Sequence, residues 1–193
     1  MSIQVIKTFI EEVAGHIPDL DWSLYEQYLS PVSARKGETL QEIGKPCTQI
    51  WHMVSGTSRK IEMAEGVPIT THFYTAPKVF TVFESALRQI PSEQGIVCDE
   101  DAELMTIPFQ QLRLLFDKSQ NIERISRRIV EEELIQEFKL RRMFIKMEAI
   151  ERYVFIEENY PELLNRFQLK DVATFMGVTP ESLSRLRKSR YLK

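Results

Sequence analysis

Residues 168–188 read QLKDVATFMGVTPESLSRLRK. Leu169, Val172, Ala173 and Met176 fall at i, i+3, i+4 and i+7, the spacing of one helical face. Gly177 follows where a helix C-terminus uses a residue of positive φ. Thr179 is placed to cap a second helix, and Pro180 to take its first position, where no N–H bond is lost. In that second helix Leu183 and Leu186 face inward, while Glu181, Ser182, Ser184, Arg185 and Lys188 share the opposite arc. Ala173 is small enough to let two helices cross closely, and Val178 plugs the turn. The stretch therefore predicts two short helices, 169–176 and from 180 onward, joined by a tight turn.

This spacing resembles the helix-turn-helix of bacterial transcription regulators. The resemblance implies double-stranded DNA as a partner, with the second helix in the major groove. Arg185 would then pair with a guanine edge and Glu181 accept from a cytosine amino group. Ser182 and Ser184 share that face, and Thr179 and Lys188 would hold phosphates. The regulators often carry an Arg one residue before that Glu; here Pro180 stands there, which removes one base contact. An ordinary helical hairpin closing a domain is the alternative reading of the same turn.

Charge sharpens the contrast. From Arg166 to Lys193 there are seven Lys or Arg against two acids, a net of +5, whereas the remaining residues carry −8 and the whole chain −3. A basic tail on an acidic body suits a local polyanion contact and excludes a wholly basic nucleic-acid coat. With 193 residues, 43% of them hydrophobic, the chain can bury one large core or two small ones. Cys47 and Cys98 form neither a C-x-x-C pair nor a disulfide framework, as expected for the reducing cytoplasm. No signal-peptide pattern opens the chain and nowhere do about 18 apolar residues run together, so neither secretion nor a membrane partner is expected.

Upstream the texture is different. Residues 3–29 predict two helices, divided near Gly15 and Pro18. From 30 to 107, short β-prone runs alternate with turn residues: 39–43, 49–54, 57–63, 69–74, 95–98 and 103–107. Many short strands at this spacing indicate a sandwich or barrel. Within them lie Arg35-Lys-Gly-Glu-Thr-Leu40, then Gly44, then Ile50-Trp-His-Met-Val-Ser-Gly56, and at the far end Glu100-Asp-Ala-Glu-Leu104 leading to Ile107-Pro108. These motifs resemble a cyclic-nucleotide-binding β-roll. With the terminal helix-turn-helix, the chain resembles the Crp/Fnr family from about residue 20 to 190. Helical periodicity returns after Pro108, with helices at 109–116, 121–147 and 148–159. Ile122, Ile125, Ile129, Gln136, Leu140, Met143 and Met147 repeat at near-heptad spacing in the long one, interrupted by Glu131-Glu-Glu133. The resemblance implies a homodimer through that helix, with Ile125 and Ile129 at or near the seam.

The family's phosphate cassette has a Gly-Glu pair opening a helix and, some ten residues on, an Arg followed by Ser or Thr. The matching stretch keeps Phe83, Glu84 and Ser85, but no Gly precedes Glu84, and Pro91-Ser92-Glu93 offers an acid where the base should stand. Arg88 lies between, out of place. Binding of cAMP or cGMP is therefore not expected, and Phe83, Glu84, Ser85 and Ser92 are what remains of a ligand site, with an unidentified small-molecule effector left open. Trp51, Phe80 and Phe83 either leave room for an apolar ligand or fill the core. His16, His52 and His72 form no His-x-His pair, and no nucleophile elbow, P-loop or H-E-x-x-H occurs, so neither an enzyme nor a metal is expected. His72 lies in a strand-like run; the resemblance to sensor relatives implies haem ligation there as one reading, and a structural or surface histidine is the other.

Together these readings predict an α+β chain. A jelly-roll-like double-stranded β-roll with flanking helices and a long dimerisation helix spans 1–146, and a helix-turn-helix domain spans 147–193. The chain ends at Lys193, where the family continues into a β-wing, so a unit without a full wing is expected. The predicted function is a cytoplasmic DNA-binding regulator; the alternative is a ligand-sensing or scaffolding β-roll protein without DNA binding.

Overall fold

The computed structural model describes residues 2–191, with side chains from 3 to 189. Arg190 and Lys193 of the basic tail, and the chain end on which the expected lack of a wing bears, lie outside the described side chains.

Helices α1 (Ser2–Ala14) and α2 (Asp19–Glu26) lead in. Ile6, Ile10 and Ala14 of α1, and Trp22 and Tyr25 of α2, are buried, as their spacing requires. The strands follow: β1 (Ser30–Ala34), β2 (Thr39–Gln41), β3 (Gln49–Ser55), β4 (Thr57–Ala64), β5 (Val67–Thr75) and β6 (Lys78–Phe80), then the short helix α3 (Phe83–Arg88), then β7 (Gln94–Cys98) and β8 (Ala102–Pro108). They pair antiparallel into two four-stranded sheets, β1-β8-β3-β6 and β2-β7-β4-β5, which face each other as a β-roll. Two strands escaped the alternation pattern. Ser30–Ala34 carries Pro31, which a ladder tolerates only at an edge, and β1 is the edge partner of β8. Lys78–Phe80 is three residues long, too short to alternate.

The Ser55-Gly56 turn between β3 and β4 depends on its glycine. Gly56 has φ +92°, and a Cβ there would lie 2.6 Å from the Asp101 carbonyl oxygen and 2.8 Å from Ala102 Cα. Both contacts are backbone, so nothing nearby can give way.

Helix α4 (Phe109–Phe116) packs Phe109, Leu112 and Leu115 under the roll, and α5 (Gln120–Lys146) starts at Ser119, whose Oγ accepts from Ile122 N at 3.1 Å. Beyond α5 come α6 (Ala149–Asn159), α7 (Pro161–Arg166), α8 (Leu169–Met176) and α9 (Pro180–Tyr191). The core has two parts. One runs from α1 through the roll to Ile122, Ile125 and Ile129; the other gathers Met143, Tyr153, Ile156, Leu163, Phe167, Val172, Phe175, Met176 and Leu183. No helix among the described residues is long and apolar enough to cross a membrane.

The face of α5 is a correction to the expected seam. Ile122 and Ile125 are only 2% and 4% exposed, buried in the chain's own roll, and Ile129 packs beside them. Met143 and Leu140 belong to the second core. The side of α5 left open carries Val130, Leu134, Ile135, Phe138 and Ile145, all exposed.

Candidate nucleic-acid interface

Gly177 ends α8 in the left-handed region at φ +67°, and its N–H bonds back into the last turn. A Cβ there would meet nothing within 4 Å, so the backbone angle alone calls for glycine. Val178 N then donates to Ala173 O at 3.0 Å and closes the turn. Thr179 Oγ1 caps α9 by accepting from Ser182 N at 3.2 Å. Ala173 and Leu183 are fully buried where the helices cross, and Val178 and Leu186 pack against the same core.

On the outer side of α9, Thr179, Glu181, Arg185 and Lys188 are exposed and Ser182 and Ser184 half-buried. Thr179 Oγ1 and Ser182 Oγ lie 3.1 Å apart, and Arg185 Nη2 donates to Ser182 Oγ at 3.1 Å. The Glu181 carboxyl accepts from its own backbone amide and from Thr179, which holds it below the ordinary carboxylate range. Sequence reasoning passed over Arg187, which is also exposed, because helical spacing turns it towards the Leu183–Leu186 side. The arrangement offers hydroxyls, a carboxylate and cations on one solvent-facing helix, the inventory needed for base edges and phosphates.

The other side of this unit rests on the roll. Strand β5 is a sheet edge, and α8 covers it: Thr70 N donates to Thr174 Oγ1 at 3.1 Å. Phe73 of β5 sits 4.4 Å from Phe167 and 5.2 Å from Phe175, ring centre to ring centre. Arg59 bonds Asp99 and lies 3.4 Å from Asp171 Oδ2, so one guanidinium serves a carboxylate from the roll and one from α8. Arg166 pairs with Glu100 at the rim. These residues are scattered across the chain, and no local pattern marks them as partners.

Burial pushes the Asp99 carboxyl up to about 6, against the pull of Arg59, and the neighbouring Asp171 charge raises it further. A carboxyl raised above its unfolded value is protonated more readily in the folded chain. Its ionisation therefore removes stability as pH climbs from about 4 to about 6. We expect the unfolding free energy of wild type, minus that of Asp99→Asn, to fall across this window and stay level above it. Urea titrations at half-unit pH steps measure the difference; a difference that rises with pH would show that the Arg59 pairing outweighs burial.

Inside the roll, aromatic rings from the two sheets stack on one another. Tyr74 stacks on Phe80 at 4.3 Å and Phe80 on Trp51 at 5.9 Å, and Lys60 Nζ lies 5.9 Å over the Tyr74 ring. His72 bonds Glu137 and Lys78 bonds Glu133, tying the sheets to α5. His52 is fully buried between Tyr25 Oη at 2.6 Å and Met105 O at 3.2 Å, and burial lowers it to about 4, so it is neutral. Of the remnant cassette, Ser85 Oγ donates to Ile90 O at 2.6 Å and accepts from Cys47 N at 2.8 Å. Ser92 Oγ bonds the Gln94 backbone, at 2.6 Å to its oxygen and 3.0 Å to its nitrogen. Glu84 is exposed and lies 3.3 Å from Arg88. Phe83 stands apart from these three, on the wall of a pocket beside α5. Cys47 and Cys98 are buried free thiols, and no cluster that could hold a metal ion occurs among the described residues.

A β-roll followed by a long helix and a helix-turn-helix is the architecture of the Crp/Fnr regulators, and the chain has that fold. Solved structures similar to it include FixK2 from Bradyrhizobium japonicum, at 18% identity and a TM-score of 0.70 over 85% of each chain. The c-di-GMP-responsive global regulator CLP from Xanthomonas campestris is similar at 16% identity and a TM-score of 0.70, over 91% of this chain and 92% of that one. A protein from Eubacterium rectale described as a transcriptional regulator of the crp/fnr family matches at 17% and 0.69, over 91% and 84%. No family model and no curated protein matches the chain.

Proposed function

We propose that this chain is a cytoplasmic, homodimeric DNA-binding transcription regulator of the Crp/Fnr type, and not an enzyme. The observation that carries the reading is the exposed face of α9. Arg185, Lys188 and Glu181 project from a capped helix whose opposite side is locked into a core by Leu183. The dimer is supported by the open stripe on α5, which leaves five large apolar side chains in water.

The roll has lost cyclic-nucleotide binding on this reading. The two serines left in the cassette are spent on backbone bonds, the Glu84 carboxylate lies exposed beside Arg88, and the ring stack and the Lys60–Tyr74 contact occupy the interior of the roll. Calorimetric titration with cAMP and cGMP is expected to show no saturable heat. A dissociation constant near the micromolar range, about −8 kcal/mol, overturns this.

The rival reading is a ligand-sensing or scaffolding roll without DNA binding, and the docking of α8 on β5 favours it, since that contact commits part of the helix-turn-helix to the roll. The docking leaves α9 free, however. Retention on mixed-sequence DNA separates the two. A protein making several phosphate contacts binds at low salt and is released with a steep salt dependence; no retention at low salt favours the rival.

A further inference from the structure

Between the roll, α3, α4 and α5 the surface opens into a cavity of about 390 Å³. Its floor belongs to the core: Ile50, Phe80 and Leu112 are 7%, 4% and 7% exposed. Its mouth is flanked by Phe83 and Leu87 of α3 and Val130 and Leu134 of α5, all exposed. The volume falls in the lower part of the range that holds small ligands, roughly 300–1,000 Å³. Polar groups at the floor are already satisfied. Tyr25 Oη is held by His52, and Thr81 Oγ1 donates to Gln49 O at 2.8 Å. The charges at the mouth are acidic in balance: Glu123, Glu131 and Glu133 face one cation, Arg127, and that cation is bonded to Glu131 at 2.7 Å. Glu133 is taken by Lys78. An anionic head group would find no free cation in this lining.

We propose that this cavity binds a compact, uncharged, apolar small molecule, aromatic or aliphatic, and that it is the chain's effector site. An occupant would bridge Phe83 and Leu87 on α3 to Val130 and Leu134 on α5, which also belong to the open stripe of that helix. Filling the gap therefore fixes α5 against the roll. The word effector rests on the regulator reading; binding itself does not, so it is measured without DNA.

The full chain is titrated with N-phenyl-1-naphthylamine, an uncharged fluorescent probe, and with the anion 8-anilino-1-naphthalenesulfonate. The expected result is saturable binding of the neutral probe, one per chain, with the anion at least tenfold weaker. Leu112→Trp, which fills the floor, and Leu87→Asp, which charges the mouth, should each weaken the neutral probe at least tenfold. Leu87 is 56% exposed, so its substitution leaves the fold intact even if Leu112→Trp does not. Met63→Asp, on β4 and outside both the cavity and the α5 stripe, should leave binding unchanged. No saturable binding by wild type overturns the proposal, as does an anion that binds equally well or a loss in Met63→Asp. Binding seen only after the dimer is broken also overturns it, because the cavity would then be an interface between copies. Failure of the regulator reading shows separately, in the absence of DNA retention.

Discussion

Replacing Leu134 and Phe138 together by Asp is expected to give a folded monomer that has lost most of the specific DNA affinity proposed for the dimer. Both side chains are about half exposed, at 52% and 51%, on the side of α5 turned away from the chain's own core. Substituting them costs little folding stability, within about 0.5 kcal/mol at each exposed position. In a dimer each would be covered by the partner's helix, where burying a large apolar side chain is worth roughly 1.5–3 kcal/mol. Two carboxylates per helix, brought face to face with two more, reverse that gain. Two-fold regulators of this kind grip two half-sites about one helical turn apart. A monomer keeps one half-site and forfeits the effective concentration that the second supplies, on the order of a hundredfold or more. Sedimentation and binding to fragments selected from genomic DNA read both effects. Ile125→Asp serves as the contrast: at 4% exposure it places a charge in the roll's core and should unfold the chain. A monomeric wild type at tens of micromolar, an order-of-magnitude working concentration for a weak dimer, would sink the dimer.

That contrast also shows what periodicity can and cannot reveal. The row from Ile122 to Met147 is the most regular apolar row on α5, and it proved to cover the chain's own two cores. Spacing states that a helical face is buried, not against what. The open stripe is harder to see, because Glu131 and Arg141 interrupt it between Val130, Leu134, Phe138 and Ile145. By contrast α8 was legible to the residue, since Gly177 and Pro180 bracket the turn with backbone requirements that no tertiary contact can override. The helix Pro161–Arg166 was not read as one because six residues give too few turns for a period. The ties between roll and α8 lie furthest from sequence reasoning. Arg59, Asp99 and Asp171 are each an ordinary charge locally, and only the fold makes them a buried group. The roll interior falls between these cases. The missing cassette arginine could be read directly, whereas the Tyr74–Phe80–Trp51 stack needed the pairing of β3 with β6 to be seen.

Arg185→Ala should lower specific DNA binding by about tenfold to a hundredfold and leave the melting temperature nearly unchanged. Arg185 is exposed, and its one hydrogen bond among the described residues, to Ser182 Oγ at 3.1 Å, stays within its own helix. Losing that contact costs folding little, within about 0.5 kcal/mol for a surface site. In the complex the guanidinium can leave Ser182 and form two parallel bonds to guanine N7 and O6, worth roughly 1–3 kcal/mol of discrimination. The variant should therefore lose preference at one base pair per half-site. Lys188→Ala is predicted to behave differently. A phosphate contact carries no base information, so all sequences weaken alike and the salt slope flattens by about one charge. If Arg185 were instead a structural residue of the C-terminal unit, its removal would lower the melting temperature and leave base preference intact. Melting and binding measured on the same preparation distinguish these outcomes. A destabilised Arg185→Ala protein that still chooses the same bases would remove α9 as the reading helix.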